Sequence, residues 1–179
     1  MGKGSSRVLA VQSPDPVLAT IAPFALALAA GTALVVDFER SGPRSLAELE
    51  ADGPRLEELA PGRSGVAVLP GGRIDLGVAV DLVHRLGDSW PAVVVRPPAA
   101  GGWPGVTVPV LPLYPGRLGP REQIAAVWQP IGSGSRPPGP GPVLPRLGRR
   151  TIGALLDGRV PPRSRWVKAW TPVWGLPWA

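Results

Sequence analysis

RVLAVQSPDPVLATIAPFALALAAGTALVVDFER, residues 7–40, is the stretch of sequence that decides the fold. It begins with a short apolar strand, and Val17–Ala30 is predicted to be an Ala- and Leu-rich helix without a charge. Gly31 ends that helix, because glycine readily adopts the positive φ angles found after helix C-termini. A second apolar strand at Ala33–Val36 leaves Asp37 at its carboxyl end, the edge of a parallel sheet where ligands bind.

The alternation of strands and helices continues to about residue 130. The further predicted elements are a helix from Ser45 split at Gly53-Pro54, a strand at Ser64–Pro70, a helix at Leu76–Leu86 closed by Gly87, a strand at Trp90–Val95, an edge strand or extended segment at Val106–Leu113 and a helix at Pro120–Trp128. Pro109 and Pro112 indicate an edge position, because proline has no amide N–H to give to a sheet. This order predicts a three-layer α/β domain with a mostly parallel, twisted sheet and helices on both faces.

Composition divides the chain into four parts. Pro (25) and Gly (24) together exceed a quarter of the 179 residues, and they are densest at Gly132–Pro145. Such a level is typical of low-complexity segments. We predict a flexible start at 1–6, the α/β domain at 7–130, a mobile Pro/Gly linker at 131–145 and an irregular, basic, Trp-rich extension at 146–179.

Charge is distributed unevenly between the two ends of the chain. Residues 1–115 contain 9 Lys and Arg against 11 Asp and Glu, whereas residues 116–179 contain 10 against 2. The C-terminal part is therefore the one that favours anionic partners such as nucleic acid, lipid headgroups or an acidic protein face. The chain has no Cys and a single His, His84, which excludes a disulfide framework and a thiolate metal site.

The run Val17–Val36 has no charge over twenty residues, the length of a membrane span, and Lys3 and Arg7 precede it as in a signal peptide. Pro23 and the weak hydrophobicity of alanine favour a helix and a strand in a protein core instead. A location in the cytoplasm, or peripheral to the membrane, is the expectation.

Four segments of the α/β region carry a family resemblance: RVLAVQSP (7–14), ALVVDFER (33–40), SGVAVLPGG (64–72) and LVHRLGDSWPAVVVRPP (82–98). In this order they resemble the MinD/ParA group of P-loop ATPases, including the MinD-like proteins of Tad pilus loci. They stand where that family has its first strand, a second strand ending in two acids, a strand ending in Leu-Pro-Gly, and its Walker B and switch II region. The resemblance covers about residues 7–130 and implies a P-loop NTPase-like fold.

The residues with which such a family holds phosphate are replaced in this chain. The phosphate loop would fall on Ser13–Thr20, SPDPVLAT, which contains neither Gly nor Lys. Pro14 and Pro16 remove two amide donors, and Asp15 puts a negative charge where a triphosphate would lie. Thr20 alone remains as the counterpart of the family's Mg²⁺-binding hydroxyl.

Three further positions bear on the same site. Asp37 and Glu39 match the two acids of the family's second strand, but Arg96 stands where the Walker B acid is expected. An ion pair between Asp15 and Arg96 in the vacated site is a further hypothesis. The resemblance thus implies a degenerate nucleotide site, with no cofactor, metal or catalytic residue, at positions Ser13, Asp15, Thr20, Asp37, Glu39 and Arg96.

Tryptophans recur every four residues in the C-terminal extension, among several cations. Three roles are compatible with this spacing: the tryptophans pack back onto the domain, they dock a partner protein, or they lie in a membrane interface. The cations also suit nucleic-acid phosphates. The predicted partner or anion contacts are Arg149, Arg150, Arg163, Arg165, Trp166, Lys168, Trp170, Trp174 and Trp178.

These features predict a non-catalytic, MinD/ParA-like pseudo-ATPase that acts as an interaction or regulatory protein. Its partner would be a true ATPase relative or a pilus or secretion component, in a homo- or heterodimer. The alternative is a nucleic-acid-associated protein that binds non-specifically through the basic extension. An enzyme that uses the vacated site for other chemistry is a third possibility, and no group of residues supports it.

Overall fold

The computed structural model describes residues 7–42, 45–48, 65–99, 101–116, 124–134, 136–161 and 163–178. The predicted flexible start, the helix from Ser45 beyond Glu48, and residues 120–123 of the last predicted helix lie outside this part. Ser45 does begin a helical turn, since its hydroxyl accepts the Glu48 N–H at 3.4 Å.

Besides the helical turn that begins at Ser45, the described residues form six strands, four helices and one 3-10 helix. They are β1 (Arg7–Gln12), α1 (Pro16–Ala30), β2 (Ala33–Asp37), β3 (Val66–Pro70), α2 (Leu76–Ser89), β4 (Ala92–Arg96), β5 (Thr107–Leu113), β6 (Val127–Pro130), α3 (Arg149–Leu156), α4 (Arg165–Lys168) and the 3-10 helix Thr171–Gly175. The strand order is β3-β2-β4-β1-β5-β6, and every neighbouring pair is parallel.

Helices cover both faces of this sheet, which confirms the predicted three-layer α/β class. Alternate side chains of the strands divide into two cores because successive residues of a strand point to opposite faces. On one face Val35 and Val94 pack with α1, α3 and α4. On the other face Val36 and Val95 pack with α2 and with Trp103.

The uncharged helix α1 is buried between two layers. Its inner side contacts β1, β2 and β4, while α3, α4 and the 3-10 helix contact it from outside. A helix that is apolar all round needs such double cover. Among the described residues, no helix combines the length and the hydropathy that crossing a bilayer requires.

The prediction that Val106–Leu113 is an edge strand or an extended segment is wrong, since β5 (Thr107–Leu113) lies between β1 and β6. Both prolines fit there because the amides of a parallel strand point alternately to its two neighbours. Pro109 is on the β6 side, one residue before pairing with β6 begins at Val110, and Pro112 is on the β1 side, beyond the last β1 pair at Gln12. Neither proline therefore removes a sheet hydrogen bond.

Two other predictions fail near the C-terminal end of the sheet. Residues 124–126 are not helical and Val127–Pro130 is β6, because burial of Val127 and Trp128 beside β5 overrides the helical pattern. The predicted linker is also held against the sheet: Leu144 donates its N–H to the Trp128 carbonyl at 2.8 Å, and Trp128 donates to the Pro142 carbonyl at 2.8 Å. The segment around Leu144 is thus bonded to the edge of the sheet.

Helix α2 is longer than predicted. Gly87 was expected to close it, but Gly87 lies buried within the helix, which runs to Ser89. The Trp90 N–H then bonds to the Leu86 carbonyl at 3.0 Å and ends the helix.

Candidate functional site

A cleft of about 680 Å³ opens at the carboxyl edge of the sheet, beside the ends of β1 and β4. This is the edge at which open α/β sheets bind their ligands. Apolar side chains, five of them prolines, provide most of the lining. The residues around it are Val11, Gln12, Ser13, Pro14, Pro16, Ala19, Thr20, Glu39, Arg96, Pro97, Pro98, Ala99, Gly101, Pro109 and Leu111.

The loop between β1 and α1 uses its own carboxylate to cap the helix. Asp15 Oδ1 accepts the Leu18 N–H at 2.9 Å, and the Asp15 carbonyl accepts the Ala19 N–H at 2.8 Å. The Asp15 N–H itself donates to Ser13 Oγ at 3.2 Å. The N–H groups of Leu18 and Asp15 are therefore already bonded and are not free to bind an anion at the start of α1. The negative charge of the Asp15 carboxylate also repels an anion there.

The Arg96 side chain contacts two other predicted site residues, Asp37 and Thr20. Its Nη1 lies 3.2 Å from Asp37 Oδ2 and 3.4 Å from Asp37 Oδ1, and its Nη2 donates to Thr20 Oγ1 at 3.2 Å. The Arg96 side chain is 20% exposed and that of Asp37 is 14% exposed. The pair is therefore largely removed from water, where attraction between opposite charges is stronger than at the surface.

The sheet register explains this pairing. Asp37 and Arg96 are the last residues of β2 and β4 and stand directly opposite each other in the parallel ladder. Thr20 is one turn into α1, and its hydroxyl donates to the Pro16 carbonyl at 2.8 Å. The guanidinium thus joins the ends of two strands to the first turns of the central helix.

The hypothesis of an Asp15–Arg96 ion pair is wrong. The carboxylate of Asp15 is turned to the amide of Leu18, and Arg96 pairs with Asp37 instead. The reason is that β2 and β4 are neighbours in the sheet, so their final residues meet.

Glu39 connects β2 to the loop that follows β4. Its Oε1 accepts the Ala99 N–H at 2.6 Å, and its own N–H donates to Asp37 Oδ1 at 3.0 Å. The predicted positions Thr20, Asp37, Glu39 and Arg96 therefore form one connected network at the cleft. Within the described ranges, no group of three or more His, Cys, Asp or Glu side chains is placed to hold a metal ion.

Two of the four C-terminal tryptophans are in the core, so their prediction as partner contacts is wrong. Trp166 is 2% exposed and donates its indole N–H to Gln129 Oε1 at 2.6 Å. Trp170 is fully buried and packs edge-on against Trp166, with ring centroids 5.4 Å apart. Packing back onto the domain, one of the three alternatives, is what these two side chains do.

Trp174 and Trp178 are half-buried and also turned towards the body. The indole N–H of Trp174 donates to the Leu26 carbonyl of α1 at 3.0 Å, and that of Trp178 donates to the Val173 carbonyl at 2.8 Å. By contrast, the predicted cationic contacts are all exposed: Arg149, Arg150, Arg163, Arg165 and Lys168.

Gln129 is a structural residue that sequence reasoning missed. It is fully buried on β6 and binds Trp166 through its oxygen, while its Nε2 donates to the Pro130 carbonyl at 2.9 Å. A glutamine after a short apolar run carries no signal of this role, because its partner lies 37 residues further on.

No protein-family model, curated protein or solved structure matches this chain.

Proposed function

We propose that this protein is a non-catalytic, MinD/ParA-like pseudo-ATPase that acts as an interaction or regulatory protein. Its partner would be a true ATPase relative or a component of a pilus or secretion apparatus. The observation that supports the proposal is the Asp37–Arg96–Thr20 network beside the cleft, in which the residues that match the family's metal and phosphate positions bind one another.

Three features at the cleft act together against a bound nucleoside triphosphate. Asp15 caps α1 with a carboxylate, Pro14 and Pro16 contribute no amide donors, and Asp37 is paired with Arg96. A triphosphate would meet a negative charge at the helix N-terminus, and Mg²⁺ would have to displace a guanidinium from Asp37. Each change disfavours the Mg²⁺–nucleotide complex separately, and their combination supports a scaffold function.

A titration with a fluorescent ATP analogue, with and without Mg²⁺, tests the proposal. We expect no saturable, Mg²⁺-dependent binding in the micromolar range. Exposed cations can attract any triphosphate weakly, so the Arg149→Gln/Arg150→Gln variant serves as the matched control. A signal that is independent of Mg²⁺ and falls in this variant comes from the surface, whereas micromolar Mg²⁺-dependent binding retained by the variant would refute the proposal.

The interaction part of the proposal has a separate test. The purified chain is mixed with candidate ATPase relatives from the same genome, and complex formation is followed by analytical ultracentrifugation. A heterodimer with one of them is the expected result. A chain that sediments as a monomer in every mixture, and on its own, would remove the support for pairing with an ATPase.

A further inference from the structure

The net positive charge of the chain comes from one short segment. Residues 146–168 contain seven Lys and Arg and a single Asp, so they contribute +6, which equals the formal net charge of the whole protein. All seven cations are exposed, and only Arg159 forms an ion pair among the described residues, with Asp157. We call these seven exposed cations, which run from Arg146 before α3, through α3 and the residues that follow it, to Lys168 on α4, the basic surface.

Buried side chains hold the basic surface in place. On α4, Trp166 is buried and bonded to Gln129, while Arg165 and Lys168 on either side of it are exposed. On α3, Leu155 is 4% exposed and packs into the core that includes α1. Arg149 and Arg150 on α3, and Arg165 and Lys168 on α4, are therefore carried by helices that pack onto the body, and a partner would not have to order a flexible tail in order to bind them.

Arg163 lies in a backbone conformation that arginine rarely adopts. Its φ is +51°, and no other non-glycine residue in the described part of the chain has a positive φ. A residue with a Cβ atom destabilises the fold when its φ is positive, whereas glycine adopts such a φ without this penalty. The chain keeps an exposed guanidinium at this position nevertheless.

Aliphatic side chains lie among these cations. Leu156 at the end of α3 is 53% exposed and Val160 is 47% exposed, on either side of Arg159. Trp166, the single tryptophan of residues 146–168, faces inward, so the basic surface offers cations and aliphatic groups but no exposed indole. Single-stranded nucleic acid is usually held with exposed aromatic rings, and phosphate contacts need only cations. Exposed aliphatic groups beside arginines suit a protein interface.

We infer that the basic surface docks an acidic, amphipathic segment of a partner protein, whose carboxylates face the arginines and whose apolar side chains cover Leu156 and Val160. This inference rests on the proposed function, because it supplies the surface through which an interaction protein would act. No residue of the basic surface is among those that line the cleft. Nucleotide binding would therefore refute the proposed function without changing the result of the docking experiment.

The test uses a labelled synthetic peptide of Glu and Leu with leucines at helical spacing, measured by fluorescence anisotropy on the full chain. The comparison probes are the same peptide with Gln in place of Leu, and a random-sequence DNA duplex. We expect the Glu/Leu peptide to bind most tightly. Leu156→Ser should weaken its binding about fivefold and leave the affinity for the duplex unchanged.

Arg163→Gly separates binding from folding. The variant removes one cation and also relieves the positive φ, so its unfolding midpoint should stay the same or rise, while peptide affinity falls about two- to fivefold at low salt. Arg136→Gln, an exposed arginine outside the basic surface, is the matched control and should leave affinity unchanged.

Three results would overturn the inference. These are no detectable binding of the Glu/Leu peptide, equal affinity for the peptide without leucines, and tighter binding of the DNA duplex than of the peptide. The third result, with a steep loss of affinity as salt rises, would assign the surface to nucleic acid.

Discussion

Replacing Arg96 with methionine should destabilise the fold, because it leaves the largely buried carboxylate of Asp37 without its partner. An exposed ion pair is worth about 0.2–1 kcal/mol, whereas removing one partner of a fully buried pair costs about 3–5 kcal/mol. The two side chains are 20% and 14% exposed, between these limits. We therefore expect the free energy of unfolding to fall by about 2 kcal/mol, or by roughly 4–8 °C in Tm for a chain of this size.

Urea unfolding followed by tryptophan fluorescence measures this loss, and the seven tryptophans provide the signal. The matched control is Arg159→Met, which breaks the Asp157–Arg159 pair. Those side chains are 58% and 72% exposed, so the free energy of unfolding should change by no more than about 0.5 kcal/mol.

A double-mutant cycle with Asp37→Asn separates the pair from its surroundings. Asparagine can still accept the Glu39 N–H that Asp37 Oδ1 accepts now, but it removes the charge. The double variant should be less destabilised than the sum of the single variants, by about 1 kcal/mol or more. If Arg96→Met costs no more than Arg159→Met, or if the cycle shows no coupling, the argument that this network holds the sheet edge is refuted.

Three further predictions concern the cap of α1, the buried Trp166 and the segment that follows β6. Asp15→Ala should lower the free energy of unfolding by about 1 kcal/mol, since the α1 cap is lost, and Asp15→Asn should retain most of it; equal losses in urea unfolding would contradict the capping role. Trp166→Phe should lower the free energy of unfolding by about 3 kcal/mol, because the buried Gln129 oxygen loses its hydrogen-bond donor and the ring becomes smaller. An unchanged urea midpoint would contradict the packing of Trp166 against Gln129. Gly141→Ala should destabilise the fold several-fold more than Gly134→Ala. Both glycines have positive φ, but only at Gly141 would a Cβ collide with the Ala126 carbonyl. Similar thermal midpoints for the two variants would mean that the segment around Gly141 does not pack against the residues before β6.

The sequence predicts the first βαβ unit well, for physical reasons. Short apolar runs such as Ala33–Val36 suit buried parallel strands, and the uncharged Val17–Ala30 run suits a helix covered on both sides. The sequence also predicts that Asp37 and Arg96 lie at the carboxyl edge, and each is the last residue of a largely buried strand.

The order of the strands in the sheet cannot be predicted from local patterns in the sequence. The Asp37–Arg96 pair exists because β2 and β4 are neighbours, 59 residues apart in the chain, and no local pattern specifies that adjacency. Residues 124–128 resemble a helix locally, but burial of Val127 and Trp128 beside β5 makes 127–130 a strand. Tertiary packing thus overrides local propensity at these positions.

The C-terminal tryptophans illustrate a second limit. Their spacing of four residues is compatible with docking outward or packing inward, and composition cannot distinguish the two. Two features of the folded domain favour inward packing. The outer side of α1 is uncharged and is stabilised when other helices bury it, and the buried Gln129 oxygen accepts the indole N–H of Trp166.

The thermal midpoint of the protein in the presence of Mg²⁺-ATP tests the central claim, that the cleft no longer holds a nucleotide. A ligand at a hundredfold excess over its Kd adds about 2.7 kcal/mol to the free energy of unfolding, which for this chain corresponds to roughly 5–11 °C. We predict that the midpoint stays constant from zero to about 1 mM Mg²⁺-ATP, which excludes a site with a Kd of about 10 µM or tighter. A rise of several degrees that requires Mg²⁺ would contradict the account and restore an ATPase interpretation.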